Sequence, residues 1–181
     1  MERLTFTAMS LQRATPTTPA RRAGMMLVLL LLSWSAPAAR ADVDSPEPLS
    51  AFPKIALEIR RSDGGKRVHI DAWIADRPSR QEQGLMYIRD MDEHAGMLFI
   101  FPAMQRLSFW MKNTFLSLDM VFIDDDGRIQ IIAPRTTPLS LDLIAPPQPA
   151  RAVLELKGGA CAALGIHAGD RVVKPKFPPP Q

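Results

Sequence analysis

The chain has 181 residues, enough for one domain and little more, and its formal charge of +3 is concentrated near the N-terminus. Residues 1–41 carry five basic groups (Arg3, Arg13, Arg21, Arg22, Arg40) and one acid (Glu2), so residues 42–181 keep 22 − 5 = 17 basic and 19 − 1 = 18 acidic groups, a net of −1. That balance lacks the basic excess that nucleic-acid binding draws on, and a single cysteine excludes an internal disulfide.

Arg13, Arg21 and Arg22 precede the apolar run Met25 to Trp34, MMLVLLLLSW, and Ala39-Arg40-Ala41 follows as a small-x-small cleavage site. The run falls short of the roughly 20 residues that cross a bilayer. The pattern predicts a signal peptide over 1–41, a new N-terminus at Asp42, and a periplasmic or secreted protein with no membrane span after cleavage. The alternative is an uncleaved anchor. The Arg21-Arg22 pair is a weak twin-arginine signal, because Ala23-Gly24 stands where hydrophobic residues usually follow.

Residues 42–53, DVDSPEPLSAFP, read as a flexible linker, since prolines, acids and serines offer little apolar surface to bury. Ile55, Leu57 and Ile59 alternate with polar residues over Lys54–Arg61, and Val68, Ile70, Ala72 and Ile74 do the same over Lys66–Ala75. A period of two means half-buried strands, and Asp63-Gly64-Gly65 between them predicts a hairpin. Ser79 to Met86 reads as a short helix with a Ser79/Glu82 capping box, followed by a polar loop over Arg89–Ala95. Met97 to Phe101 is a continuous apolar run, a central strand that Pro102 should stop. Phe109–Thr114 and Leu118–Asp124 alternate as strands, and Asp125-Asp126-Gly127 turns the chain back along Arg128–Ala133.

Pro134 to Pro149 holds five prolines and reads as a long loop of the kind that often carries function. Arg151–Lys157 is a further strand, with Val153 and Glu155 on one face. Ala160–Leu164 is a short helix, Ile166–Val173 a turn and last strand, and 174–181 a disordered proline-rich tail. Some eight short strands, one or two helices, no βαβ crossover and no repeats make a mainly β fold. The expected architecture over 54–173 is a compact, antiparallel-rich sandwich or barrel-like single domain.

Gly84-Leu85-Met86, GMLFIF (96–101), FWMKNT (109–114), Leu118-Asp119, FIDDDGRI (122–129), LEL (154–156) and Gly169-Asp170 closely resemble the DUF192 family, also called UPF0127. The resemblance runs from about Val68 to Val172. It implies a mainly β fold, often behind an export signal, and no established activity. Two departures stand out. Ser117 occupies the position before Leu-Asp where the family usually has proline, and the Ser-x-x-Pro-Ala pattern before the LEL strand is loosened to Ala145-Pro146-Pro147 and Pro149-Ala150.

Asp119 marks the candidate site, because a carboxylate on an otherwise apolar strand must be paired, hydrated or protonated. One reading makes Lys112, Asn113 and Asp119 a buried polar network, with Glu82 a cap. A second makes a ligand cleft, with Phe109 and Trp110 as an aromatic wall and Lys112, Asn113, Asp119 and Arg89 as convergent polar groups. Such a wall suits a sugar, and an exported protein meets envelope glycan. A third pairs Glu82 with Asp119, or Asp119 with Glu155, as acid and base of a glycoside hydrolase. A fourth is Cu(I) handling by Met86, Met91, Met97, Met104, Met111 and Met120 with His69, His94, His167 and Cys161. No nucleophile elbow, HExxH motif or phosphate loop is present, and no cofactor is expected. Cys161, among small apolar neighbours, reads as a buried structural thiol.

Overall fold

The two period-two segments form the expected hairpin, β1 (Lys54–Arg60) and β2 (Val68–Ala75), paired antiparallel with Leu57 opposite Ile70. These ranges come from a computed structural model that describes residues 46–175. The signal peptide expected over 1–41, residues 42–45 of the expected linker and 176–181 of the tail lie outside the described residues. The rest of the linker is docked rather than free. Phe52 is buried, and Glu47 takes ion pairs from Arg77 and Arg80 at 2.7 and 2.9 Å. Glu47 thus finds specific partners, which composition alone does not reveal.

The remaining elements are α1 (Pro78–Gln83), β3 (Ala95–Gln105), β4 (Leu118–Ile123), β5 (Ile129–Ala133), β6 (Ala150–Lys157), α2 (Ala160–Leu164) and β7 (Arg171–Lys174). Seven strands form one sheet in the order β5-β4-β6-β3-β2-β1-β7. The sheet curls. Its two edge strands meet at one end, where Val172 N donates to Gly127 O and Ile129 N to Asp170 O, both at 2.8 Å. Gly127 has φ +78° and lies so close that a Cβ would come 2.4 Å from Val172 O, so the seam requires glycine there.

One core fills the inside of the curl. Every strand contributes to it, with Leu57, Ile70, Leu98, Val121, Ile129, Leu154 and Val172 among its members, and α2 adds Ala160 and Cys161. A second core lies on the outer face of β3, β4 and β6, built on Met97, Phe99, Met120, Phe122 and Val153 and covered by loop residues such as Leu107 and Met111. The alternation of side chains along a strand thus sorts two cores onto two faces.

Four expectations are corrected. β2 and β3 pair in parallel through a crossover containing α1, so a βαβ-like connection is present. The α1 helix starts two residues earlier than the capping box required. Arg77 is the N-cap, Pro78 takes the first helical position, and no side chain caps the end. β3 runs through Pro102 to Gln105. Its pairing with β6 lapses between Ile100 and Gln105, so the missing N–H of proline breaks no ladder bond. Phe109–Thr114 is not a strand. Phe109 makes a single bridge to Ile144, then Thr114 N closes a turn on Met111 O at 3.0 Å with Asn113 at φ +57°.

Candidate functional site

The outer core is incomplete over Glu155. Glu155 shares a face with Val153, and its registered neighbours are Met97 on β3 and Met120 on β4. It is 5 % exposed, and among the described residues no donor reaches its carboxyl. Loss of water alone pushes its pKa from 4.5 up to about 8. The side chain therefore holds its proton at neutral pH and can both donate and accept a hydrogen bond.

A cavity of about 480 Å³ opens over it. Its walls include Phe99, Phe101, Phe109 and Trp110, with Gln105 and Ser108 as polar groups. Phe109 stands edge-on to Phe99 and Phe122, with centroids 5.3 and 6.1 Å apart, contacts worth about 0.5–1.5 kcal/mol each beyond burial. Glu82 and Arg106 are the other charged groups on the lining. Gly84, at φ +51°, forms part of the wall, and a Cβ there would lie 3.2 Å from Phe99 Cζ and 3.9 Å from Glu155 Oε2. Glycine satisfies the backbone and keeps the cleft open.

Lys112 and Asn113 line an adjoining groove of about 780 Å³, which shares Glu82, Met86 and Trp110 with the cleft. Asn113 Nδ2 donates to Tyr87 Oη at 2.8 Å, and Tyr87 N donates to Asn113 O at 2.9 Å. Both residues have positive φ, +57° and +65°, so two strained backbones hold each other beside the groove. Lys112 Nζ lies 5.0 Å from the Trp110 ring centre, and the Arg89 guanidinium lies 4.3 Å from that of Phe115, away from both openings.

Asp119 is elsewhere. It faces the inner core with Val121 and Ile123, is 1 % exposed, and accepts three backbone N–H bonds, from Arg135 (2.8 Å), Gly159 (2.9 Å) and Cys161 (2.9 Å). It ties α2 and the 134–149 loop to β4. Lys112 and Asn113 take no part in this network. Cys161 is buried beneath it. Desolvation first, then the Asp119 charge and hydrogen bond, push its thiol up to about 12. Asp170 does similar work at the seam, accepting from Ser62 N and Oγ and from His167 N.

The site that sequence reading assembled thus separates into three places. Phe109, Trp110, Glu82 and Glu155 share the cleft. Lys112 and Asn113 sit at its side, and Asp119 is on the opposite face. Phe99, Gly84 and Gln105 complete the cleft and were not singled out. Period-two register places Phe99 and Glu155 on one face, but the strand order that makes them neighbours is not written in either segment. Met91, Met97, Met111 and Met120 are packed in the outer core, and His69, His94 and His167 are exposed. Among the described residues no group of three or more His, Cys, Asp or Glu could hold a metal ion.

A curled seven-stranded β domain with a cleft on its outer face is the class of protein that these features define. The chain belongs to the DUF192 family, whose model, described as "Uncharacterized ACR", matches residues 59–174. It is similar to a Sinorhizobium meliloti protein whose crystal structure is provisionally described as that of a transcription regulator. The two are 39 % identical with a TM-score of 0.65, over 67 % of this chain and 93 % of that one. It is also similar to a Novosphingobium aromaticivorans protein of unknown function, 30 % identical with a TM-score of 0.65, over 76 % of this chain and 97 % of that one. No curated protein matches it.

Proposed function

We propose that this protein is a small exported binding or accessory module whose ligand enters the cleft above Glu155. One observation carries the reading: a buried carboxyl, without a protein partner, at the bottom of an aromatic-walled opening. A folded chain has no stability reason to place a carboxyl there, because desolvating it costs several kcal/mol. A ligand that hydrogen-bonds to the neutral acid would recover part of that cost. The ligand class is small and uncharged, with a face that stacks on Phe109 and Trp110 and hydroxyls for Glu155, Gln105 and Ser108. A glycan fragment of the cell envelope has these properties. The near balance of charge in residues 42–181 makes nucleic acid no part of this reading.

Titration of the protein with soluble envelope-glycan fragments, followed by Trp110 fluorescence, tests it. The signal should change on binding and weaken at least tenfold in Glu155→Gln and Phe109→Ala. If no fragment alters Trp110, and the Glu155 carboxyl resonance is unmoved by any of them, the reading fails.

A second reading is favoured by one fact. Glu82 and Glu155 line the same cleft, and Glu155 keeps its proton at neutral pH, as the general acid of a glycoside hydrolase must. The acid–base pair would be these two, since Asp119 faces the other way. Hydrolysis of aryl glycosides that is lost in both Glu82→Gln and Glu155→Gln supports it, and absence of turnover in the wild-type protein removes it.

A further inference from the structure

Seven large hydrophobic side chains are exposed among the described residues, and six of them come from three neighbouring loops: Tyr87, Trp110, Phe115, Leu139, Leu141 and Leu143. The leucines are 54, 67 and 71 % exposed. Singly exposed apolar residues need no explanation, but a continuous group does. These six are held together by the backbone. Leu139 N donates to Thr114 O at 3.1 Å, Met111 N to Ser140 O at 3.0 Å, and Phe109 and Ile144 exchange two bonds of 2.8 and 2.9 Å. The Tyr87 and Phe115 rings meet edge-on at 6.5 Å.

Cations are interleaved with this surface. Arg89 lies over Phe115 and Lys112 over Trp110. The acid among the leucines, Asp142, is turned onto Ser140, whose Oγ donates to it at 3.1 Å. Exposed leucines beside exposed aromatic rings, two of which carry a stacked cation, are the side-chain types that bind a bilayer surface. Leucine reaches acyl chains, tryptophan and tyrosine sit at headgroup level, and Lys and Arg meet lipid phosphates.

We propose that the platform formed by Tyr87, Trp110, Phe115 and Leu139–Leu143 docks on the surface of an anionic lipid bilayer, with the leucines inserted and Arg89 and Lys112 on the phosphates. Trp110 belongs to both the platform and the cleft wall, and the leucine and Arg89/Lys112 variants leave it in place.

The test uses the full chain with vesicles of phosphatidylcholine and phosphatidylglycerol. Leu141→Trp places a fluorophore at the tip of the platform, and brominated lipids should quench the added emission whatever else tethers the chain. Partitioning should fall at least tenfold in Leu139→Ser/Leu141→Ser/Leu143→Ser and several-fold in Arg89→Glu/Lys112→Glu. It should also weaken in 0.5 M salt and on vesicles lacking phosphatidylglycerol. Unfolding midpoints of the variants confirm that they fold. Absence of quenching at position 141 overturns the proposal. So does self-association in lipid-free buffer that the serine variant abolishes, which would make a second copy the occupant.

Discussion

Asp119 and Glu155 lie one residue out of step on the paired strands β4 and β6, Asp119 opposite Leu156 and Glu155 opposite Met120, and so they face opposite sides of the sheet. The pleat divides two buried carboxyls into two kinds of group. Asp119 is satisfied by three N–H donors and holds parts of the fold together. Glu155 has none and looks into open space.

Asp119→Ala should therefore destabilise the domain by about 3–5 kcal/mol, because three N–H groups, that of Cys161 fully buried, lose their acceptor. Asp119→Asn keeps one acceptor oxygen and should cost less. Urea unfolding measures both. A loss in Asp119→Ala of less than about 1 kcal/mol would show that the network is not structural in this sense.

Glu155 makes the fold sensitive to pH. Its folded pKa, about 8, is raised above the ordinary 4.5 by burial, so between these values the folded state binds the proton more tightly than the unfolded state. The contribution of Glu155 is full below pH 4.5 and declines as pH rises toward 8, by as much as a few kcal/mol. Glu155→Gln should unfold at nearly the wild-type temperature at pH 5 and at a higher one at pH 8. Equal melting temperatures at both pH values would contradict a buried, neutral acid.

Cys161 should resist thiol reagents in the folded protein at pH 8, since its thiol is buried and pushed up to about 12. Labelling should follow unfolding, and Asp119→Asn should accelerate it by both routes, a looser α2 and a lost negative charge. Stoichiometric labelling of native wild-type protein within minutes would refute this.

Gly84→Ala should cost about 1–3 kcal/mol for the left-handed backbone and reduce the space between Phe99 and Glu155. Any cleft ligand should bind more weakly, while the lipid affinity of the leucine platform stays the same. Calorimetric melting gives the first number and a ligand titration the second.

Much of the fold is legible in the sequence because strand alternation is a local signal. The β1–β2 hairpin, β4, β5, β6 and α2 fall where periodicity puts them. The parallel β2–β3 pair does not, because the pairing partner of a strand is a tertiary choice. The Phe109–Thr114 segment failed for a related reason. Its alternation reflects Phe109 and Met111 packing onto the outer core, while Asn113 accepts the positive φ that ends any strand. The site was half legible. Aromatic and acidic residues were visible, but only the order β4-β6-β3 reveals that Glu155 belongs with Phe99 and Phe109 and that Asp119 does not.

The closing partner of β1 is β7, and Ile59 meets Val172 at 113 positions' remove. The second of the two sheet edges, at Gly127, also waits for β7. Almost the whole domain must therefore be synthesised before the curl can seal, and loop-closure entropy places that step late and slow in folding. A chain built this way stays threadable until its last strand is free. The seam at Gly127 therefore stays open until the C-terminal strand is available.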